Sequence, residues 1–139
     1  MDQETPLSKI AALFEDEEEM VQDLLELIES RYGTVPLVAR VLSQKPHIFI
    51  PHTVKGMHTL GAPQALDPKV AELVAVAAAT ALRCEHCVRT HIGGALAQGS
   101  TLDEVLETIV IAGMIAESSS LSVALREYRK VEARAPRDG

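Results

Sequence analysis

The sequence is poor in aromatic residues: its 139 residues include no tryptophan, two phenylalanines and two tyrosines. The core must therefore be built mostly from small and aliphatic side chains. Cysteine is also scarce, with two in the chain, but a chain of this length buries roughly 68% of its unfolded surface and needs no disulfide staples. Basic residues number thirteen against twenty acids, and the resulting net charge of −7 argues against a nucleic-acid partner, which requires a basic face.

Long hydrophobic runs are missing as well. The longest, around Leu73–Leu82, is rich in alanine and is about half the ~20 residues that a membrane span requires. The first residues show no charged segment followed by an apolar one, which is the pattern of a secretory signal. We therefore expect no membrane association, a cytoplasmic location, and a single domain over residues 1–139.

Alanine, in contrast, is abundant and clustered, and β-branched residues dominate no long stretch. Because alanine has the highest helix propensity and strand signals are weak, the sequence predicts an all-α fold. Two of the expected helices are apolar on nearly every side, which is typical of helices that other parts of a protein cover on all sides. They contain Leu73–Ala79 and Val110–Ala116. A small domain rarely covers two such helices, so we predict an obligate homo-oligomer.

Helix signals recur along the first half of the chain. The acidic run Glu15–Glu19 predicts a solvated helix start, where acids complement the dipole, and this helix is expected to end near Gly33. Thr34 is expected to cap a second helix, and a third is expected from about Pro51 to Leu60. Three histidines of this half do not share one helix face and are interpreted as surface or packing residues. They are His47, His52 and His58.

The second half contains clearer helix boundaries. Asp67 followed by Pro68 marks a helix start, and Gly99 is expected to close a helix that begins near Cys84. Thr101 fits a capping box that opens the next helix. A last helix is marked by further apolar residues at helical spacing. These are Leu121, Ala124, Leu125 and Tyr128.

The two cysteines and a histidine form the most informative pattern, Cys-Glu-His-Cys-Val-Arg-Thr-His from Cys84 to His91. At ~100° per residue around a helix, Cys87 lies about 60° and His91 about 20° from Cys84. All three share one face. That face continues through apolar residues, so we expect it to point inward.

Three interpretations of this pattern compete. Two thiols at i, i+3 near a helix start can form a redox disulfide, since the dipole and a nearby histidine favour the thiolate. A zinc site needs four ligands, so His91 would have to be joined by Glu72, His86 or another subunit. Free cysteines are also often buried as small hydrophobic residues, although two of them in register with a histidine make this interpretation weaker.

Glu72 is an isolated acid in an almost wholly apolar stretch. One interpretation is an acid near a helix start, where it favours the dipole. The other is a carboxylate aimed inward at His91, which would fix the imidazole tautomer and support its positive charge. A buried glutamate needs such a partner, because an isolated buried charge is costly.

Taken together, these residues resemble the signature of the alkylhydroperoxidase D (AhpD)-like branch of the carboxymuconolactone decarboxylase family. Five positions match the pattern. They are Glu72 for the relay glutamate, Cys84 and Cys87 for the redox pair, and His86 and His91 for the two motif histidines. A looser likeness extends over about residues 67–128, whereas residues 1–60 carry none, and residues 1–15 and 132–139 are expected to be peripheral.

The resemblance implies an AhpD-like helical bundle of about six to seven helices that assembles as a trimer or hexamer. It also implies reduction of hydroperoxides, with Cys87 as the peroxidatic nucleophile, Cys84 as the resolving thiol, and a proton relay through His91 and Glu72. Helical spacing agrees, because Cys87 and His91 are at i, i+4, whereas the dipole favours Cys84 by only about 0.3–1 kcal/mol. His86 lies off the shared face and has a supporting role.

On this interpretation no metal or cofactor is expected beyond the redox-active disulfide. The partners are a hydroperoxide, an external dithiol of the thioredoxin or lipoyl type, and further copies of the chain. Two other functions stay open. A decarboxylase of the carboxymuconolactone type needs no cysteine pair, and a non-catalytic helical protein could bind metal or sense oxidation through the same thiols.

Overall fold

The computed structural model describes residues 5–12 and 16–135, and within them it is all-α, with no β-strand. A five-residue π-helix, Met57–Gly61, directly continues the fourth α-helix. The predicted all-α fold of six to seven helices is confirmed for these residues. The α-helices are α1 Pro6–Ala12, α2 Glu17–Tyr32, α3 Leu37–Leu42, α4 Pro46–Gly56, α5 Pro68–Ala81, α6 Glu85–Ala97 and α7 Leu102–Glu132.

The second helix, α2, begins where the acidic run predicts. Asp16 is its N-cap and accepts a hydrogen bond from the backbone N–H of Glu19 at 3.4 Å. Glutamates occupy its first turn, where they complement the dipole. Gly33 ends the helix at φ 72°, a left-handed conformation that glycine adopts without strain. Glu15, the first acid of the run, lies outside the described residues.

Two expected boundaries in the first half are wrong. Thr34 is not an N-cap: α3 starts at Leu37 with Pro36 as its N-cap, and no described side chain caps it. The helix that was expected from about Pro51 to Leu60 corresponds to α4, which starts at Pro46. Proline at the first helical position lacks only an N–H that has no intrahelical partner there, so Pro46 can open α4, while Pro51 is accommodated inside it.

The chain divides into two compact units, Met1–Ala71 and Glu72–Gly139. In the first unit, α4 packs against both α2 and α3. Phe49 on α4 is fully buried at the centre of this packing and is the one phenylalanine among the described residues. The rest of the core is aliphatic. Its members are Val21, Leu24, Ala39 and Ile50, with Leu25, Ile28, Val35 and Leu42 packed against them.

In the second unit, α6 packs on α7, and the buried side chains are small. They include Val76 and Ala79 on α5, Ala95 on α6, and Val105 and Ala112 on α7. The single chain does not cover the apolar segment of α5 on all sides, because Val74 is 54% exposed. Helix α5 therefore has one apolar side that this chain leaves open.

Helix α7 is a continuous helix of 31 residues, so the separate last helix expected around Leu121 does not exist. Its start is as predicted: Thr101 Oγ1 accepts from the N–H of Glu104 at 3.1 Å, and Glu104 Oε2 accepts from the N–H of Thr101 at 2.7 Å. Among the described residues, α7 is also the one helix long and apolar enough to cross a membrane by length and composition. Scattered polar residues hide this property from a search for uninterrupted apolar runs.

Candidate active site

The turn between α5 and α6 places Cys84 at the start of α6. Just past α5, Arg83 adopts a left-handed conformation at φ 57°. Its N–H donates to the carbonyl of Thr80, and the N–H of Cys84 donates to the carbonyl of Ala79, both at 3.0 Å. These two bonds form the Schellman pattern that ends many helices. They leave Cys84 as the N-cap of α6.

Cys84 and Cys87 are joined by a disulfide, and their Cα atoms lie 5.3 Å apart, a spacing that suits such a bond. Cys84 Sγ also accepts a hydrogen bond from the backbone N–H of Cys87 at 3.3 Å, as an N-cap side chain does. Both cysteines are half-buried. The sulfur pair is therefore neither sealed in the core nor fully solvated.

A buried acid holds the imidazole that lies one helical turn after Cys87. His91 Nδ1 on α6 lies 2.9 Å from Oε2 of Glu72 on α5. The Glu72 side chain is 0% exposed and that of His91 is 19% exposed. When a carboxylate pairs with Nδ1, it fixes the ring orientation and leaves proton exchange to Nε2. The structure thus places Glu72 against His91 rather than at a solvated helix start.

Gly94 makes room for this carboxylate. A Cβ built on Gly94 would lie 2.6 Å from Oε2 and 2.7 Å from Cδ of Glu72, closer than real side-chain atoms approach. The bare backbone of α6 therefore lets Glu72 come close enough to reach His91. Sequence reasoning missed Gly94, although a signal was present: Gly93 and Gly94 lie side by side inside a helix, where each costs up to about 1 kcal/mol relative to alanine.

The predicted site residues fall into two pairs and one outlier. The disulfide joins Cys84 to Cys87, and the hydrogen bond joins Glu72 to His91 one turn further along α6. His86 is separate from both, since it is exposed in the first turn of α6. Over residues 5–12 and 16–135, no group of three or more histidine, cysteine, aspartate or glutamate side chains is arranged to hold a metal ion.

Comparison with known proteins relates this geometry to a fold and a family. The crystal structure of an alkylhydroperoxidase AhpD core from Rhodospirillum rubrum is similar, with a TM-score of 0.66 and 25% sequence identity over 86% of this chain and 85% of that one. A curated protein of Paracoccus denitrificans, named uncharacterized protein 4 in cox locus, is 38% identical over 48 residues. That match spans 34% of this chain and 43% of the Paracoccus protein.

The structural similarity confirms the predicted AhpD-like, all-α architecture. A sequence model of the carboxymuconolactone decarboxylase family matches residues 52–130, a segment that contains α5, α6 and nearly all of α7. Because that segment is more than half of the 139 residues and includes every residue of the two pairs, this chain belongs to the carboxymuconolactone decarboxylase family.

Proposed function

We propose that this protein is a thiol-dependent peroxidase and disulfide oxidoreductase that reduces hydroperoxides through Cys84 and Cys87. The observation that carries the proposal is a disulfide at the start of α6, followed one turn later by a histidine whose Nδ1 contacts a fully buried carboxylate. The likeness to a solved AhpD core supports an enzyme of this class. The family match alone would also fit a decarboxylase, but a decarboxylase has no use for a paired disulfide.

The peroxide step begins in the reduced protein. His91 accepts the thiol proton of Cys87 at Nε2, while Glu72 holds the proton on Nδ1 and balances the charge of the imidazolium. The Cys87 thiolate attacks the distal oxygen of ROOH, so that an S–O bond forms and the O–O bond breaks. The leaving alkoxide takes a proton from His91 and departs as ROH. Cys87 is left as a sulfenic acid, oxidised by two electrons.

The second step closes the disulfide and the third reopens it. The Cys84 sulfur attacks the sulfenic sulfur of Cys87, the S–O bond breaks, and the hydroxide released takes the Cys84 proton and leaves as water. The Cα separation of 5.3 Å is within the range that such a bond requires. An external dithiol of the thioredoxin or lipoyl type then supplies two electrons and two protons, and it leaves as its own disulfide.

The order of the two cysteines follows from their positions on α6. Cys87 is at i, i+4 from His91 and so shares a side of the helix with the base. Cys84 is the N-cap, and its sulfur accepts the backbone N–H of Cys87. This bond stabilises a departing Cys84 thiolate during exchange with the external dithiol, since a stabilised thiolate leaves faster. His86, exposed in the same turn, is assigned a supporting role: it orients water or donates a hydrogen bond to the leaving oxygen, which takes its proton from His91.

A thiol count after one equivalent of cumene hydroperoxide tests the proposal. The reduced wild-type protein should lose both thiols. Cys84→Ser should lose its single thiol and carry a sulfenic acid that dimedone traps, whereas Cys87→Ser should keep its thiol. With dihydrolipoamide as reductant, both variants should consume no peroxide catalytically. Glu85→Gln is the control, because Glu85 is an exposed acid on α6 that pairs only with Arg89 among the described residues.

Three outcomes would contradict the proposal. Unchanged turnover in Cys87→Ser would refute the assignment of the nucleophile. Stoichiometric zinc in the purified protein, with thiols that peroxide does not oxidise, would instead identify a metal-binding protein. Release of carbon dioxide from a carboxymuconolactone by a variant lacking both cysteines would identify a decarboxylase.

We also propose that the protein acts as a homo-oligomer, a trimer or a hexamer. Apolar side chains remain exposed along α7 in the single chain, and 6% of its most apolar window is buried. Apolar surface of this extent is characteristic of an interface. The open side of α5 at Val74 supports the same assembly.

A further inference from the structure

The turn that joins α5 to α6 carries two exposed side chains directly before the disulfide. Leu82 is 79% exposed, the highest value for a large apolar side chain in the described part of the chain. Arg83 is exposed as well, and Cys84 follows it as the N-cap of α6. A single exposed leucine is ordinary on a protein surface. This one lies beside an exposed cation and next to a disulfide sulfur, which is not ordinary.

The backbone at Arg83 favours glycine over any residue with a side chain. At φ 57° the residue is left-handed, a conformation that glycine adopts freely and that a Cβ disfavours. Strained backbone of this kind is retained mainly at functional sites. Among the residues that the structure describes, none forms a hydrogen bond or an ion pair with the Arg83 guanidinium. The reason for an arginine at this position therefore lies outside the contacts of the chain with itself.

The charge beside the disulfide is opposite in sign to that of the whole chain, which is −7. From Leu82 to His91 the sequence has a single acid, Glu85. Its Oε1 lies 2.9 Å from Nη2 of Arg89, so these two charges balance each other. The positive charge of Arg83 has no such counterpart within the segment. A cation next to an apolar side chain is complementary to a surface that offers carboxylates and apolar groups.

We propose that Leu82 and Arg83 form the docking surface for the reductant, a dithiol protein that carries carboxylates and an apolar side chain next to its thiols. The docking surface rests on the proposed function, in which an external dithiol reopens the disulfide. Leu82 provides the apolar contact. Arg83 provides charge-assisted hydrogen bonds, for which its planar guanidinium matches a carboxylate.

Docking at this turn brings the thiolate of the partner to the sulfur pair. The thiolate attacks Cys87 Sγ, so that a mixed disulfide forms and the bond between Cys84 and Cys87 breaks. Cys84 leaves as a thiolate, stabilised by the Cys87 N–H that donates to its sulfur at 3.3 Å, and then takes a proton. The second thiol of the partner loses its proton, attacks the partner's sulfur in the mixed disulfide and releases Cys87. Two electrons and two protons have then passed to this chain, and the partner leaves as a disulfide.

Reduction of the oxidised protein by two matched peptides tests the proposal without peroxide. Each peptide contains a reduced Cys-Gly-Gly-Cys segment between leucines, flanked by aspartates in one and by lysines in the other. Alkylation with a PEG maleimide followed by gel shift counts the two protein thiols over time. Flanking charges also change the thiol pKa of a peptide. Each rate is therefore divided by the rate of the same peptide with 2-hydroxyethyl disulfide, an uncharged reference.

Wild-type protein should be reduced by the acidic peptide at least about fivefold faster than by the basic peptide at low salt, after this normalisation. The preference should largely vanish in 1 M NaCl, where the screening length falls to about 3 Å. Dithiothreitol, which is uncharged and has no side chain to dock, should reduce wild type and all variants at rates within about twofold of one another.

Arg83→Gly separates docking from stability. Glycine relieves the left-handed backbone, so this variant should be at least as stable as wild type and yet lose the preference for the acidic peptide. Arg83→Glu should reverse the preference. Leu82→Ser should slow both peptides, because both carry leucines, and should leave dithiothreitol unaffected. Arg126→Gln, which removes the same charge from an exposed position on α7, is the control and should keep the preference.

Equal normalised rates for the two peptides, or an unchanged preference in Arg83→Gly, would overturn the docking surface and leave the redox cycle standing. Failure of dithiothreitol to reduce the wild-type disulfide would overturn the proposed function and the docking surface with it. Dissociation of the homo-oligomer by Leu82→Ser, measured by light scattering, would show that a second copy of the chain covers this turn instead.

Discussion

At the scale of single residues, the most consequential placement is a carboxylate in the protein interior. Glu72 is shielded completely from solvent, and a charge in such a place is costly unless it is paired and hydrogen-bonded. The imidazole of His91 at 2.9 Å provides that partner. The same contact also orients the His91 imidazole, which the proposed cycle uses as the base for Cys87.

We expect Glu72→Gln to slow the oxidation of the Cys87 thiol by peroxide by about 100-fold. The amide has nearly the same shape but cannot balance the charge of the imidazolium. Stopped-flow measurement of sulfenic acid formation in the Cys84→Ser background isolates this step. Glu85→Gln, which removes an exposed acid from the same region, should leave the rate unchanged. Equal rates in both variants would exclude a relay role for Glu72.

Gly94 allows a matched pair of substitutions within two adjacent residues. Gly94→Ala places a Cβ 2.6 Å from Oε2 of Glu72, so the carboxylate must move away from His91. We expect a loss of about 1–3 kcal/mol in the free energy of unfolding. Peroxide reduction should slow at least about tenfold, because His91 loses the contact with the carboxylate that balances its charge. Denaturant titration and turnover with dihydrolipoamide measure the two effects.

Gly93→Ala is the control for this prediction. A Cβ at Gly93 meets no atom within 4 Å, and alanine is favoured over glycine by about 0.5–1 kcal/mol inside a helix. This variant should therefore be more stable than wild type and equally active. If the two alanine variants behave alike, Gly94 is not what keeps Glu72 in place.

Sequence spacing relates some residues of the candidate site to one another but not others. Cys84, Cys87 and His91 lie within eight consecutive positions, so helical periodicity is sufficient to relate them. The partner of Glu72 is nineteen residues away on another helix, and sequence alone left two interpretations. Gly94 matters only because α5 approaches α6 there. Such an approach depends on packing, which local sequence does not encode.

At the scale of elements, the end of α5 contains a residue that its backbone disfavours. Arg83 occupies the left-handed position of the Schellman pattern at φ 57°, where a side chain costs about 1–2 kcal/mol and glycine costs nothing. This turn sets the direction in which the chain enters Cys84. Backbone strain therefore lies directly beside the disulfide.

We expect Arg83→Gly to be more stable than Arg83→Ala by about 1 kcal/mol, equivalent to a melting temperature about 4 °C higher. The order should reverse at Arg126, an exposed position inside α7, where alanine is favoured by about 1 kcal/mol. Thermal unfolding followed by circular dichroism compares the four variants. The same order at both sites would mean that Arg83 is not left-handed in solution.

Element boundaries were predictable where a local rule decides them. Gly33 and Gly99 end helices with positive φ, and Thr101 makes its capping box, because each signal acts through backbone groups a few residues away. The start of α4 was misplaced because the helix accommodates two prolines, Pro46 at its start and Pro51 in its interior, and the local sequence does not tell which of them opens it.

At the scale of the whole molecule, α7 presents an apolar surface opposite to its packed side. At ~100° per residue, Met114 points about 180° away from the direction shared by Val105 and Ala112, which are buried. Val110 and Leu121 lie near Met114 on that outer side and are exposed as well. The outer side of α7 is therefore the surface on which the proposed assembly depends.

We expect Met114→Glu to dissociate the homo-oligomer into monomers, measured by size-exclusion chromatography with light scattering. A carboxylate forced into an apolar interface has no partner there and costs several kcal/mol, whereas in the free chain position 114 is exposed and tolerates it. Ser120→Glu adds the same charge to the same helix about 120° away and should leave the assembly intact. The disulfide pair and the Glu72–His91 pair both lie within one chain, so the dissociated variant should still lose two thiols to one equivalent of peroxide.

A monomeric wild-type protein in detergent-free buffer would contradict this assembly. Flotation of the protein with lipid vesicles would show that α7 inserts into a membrane instead.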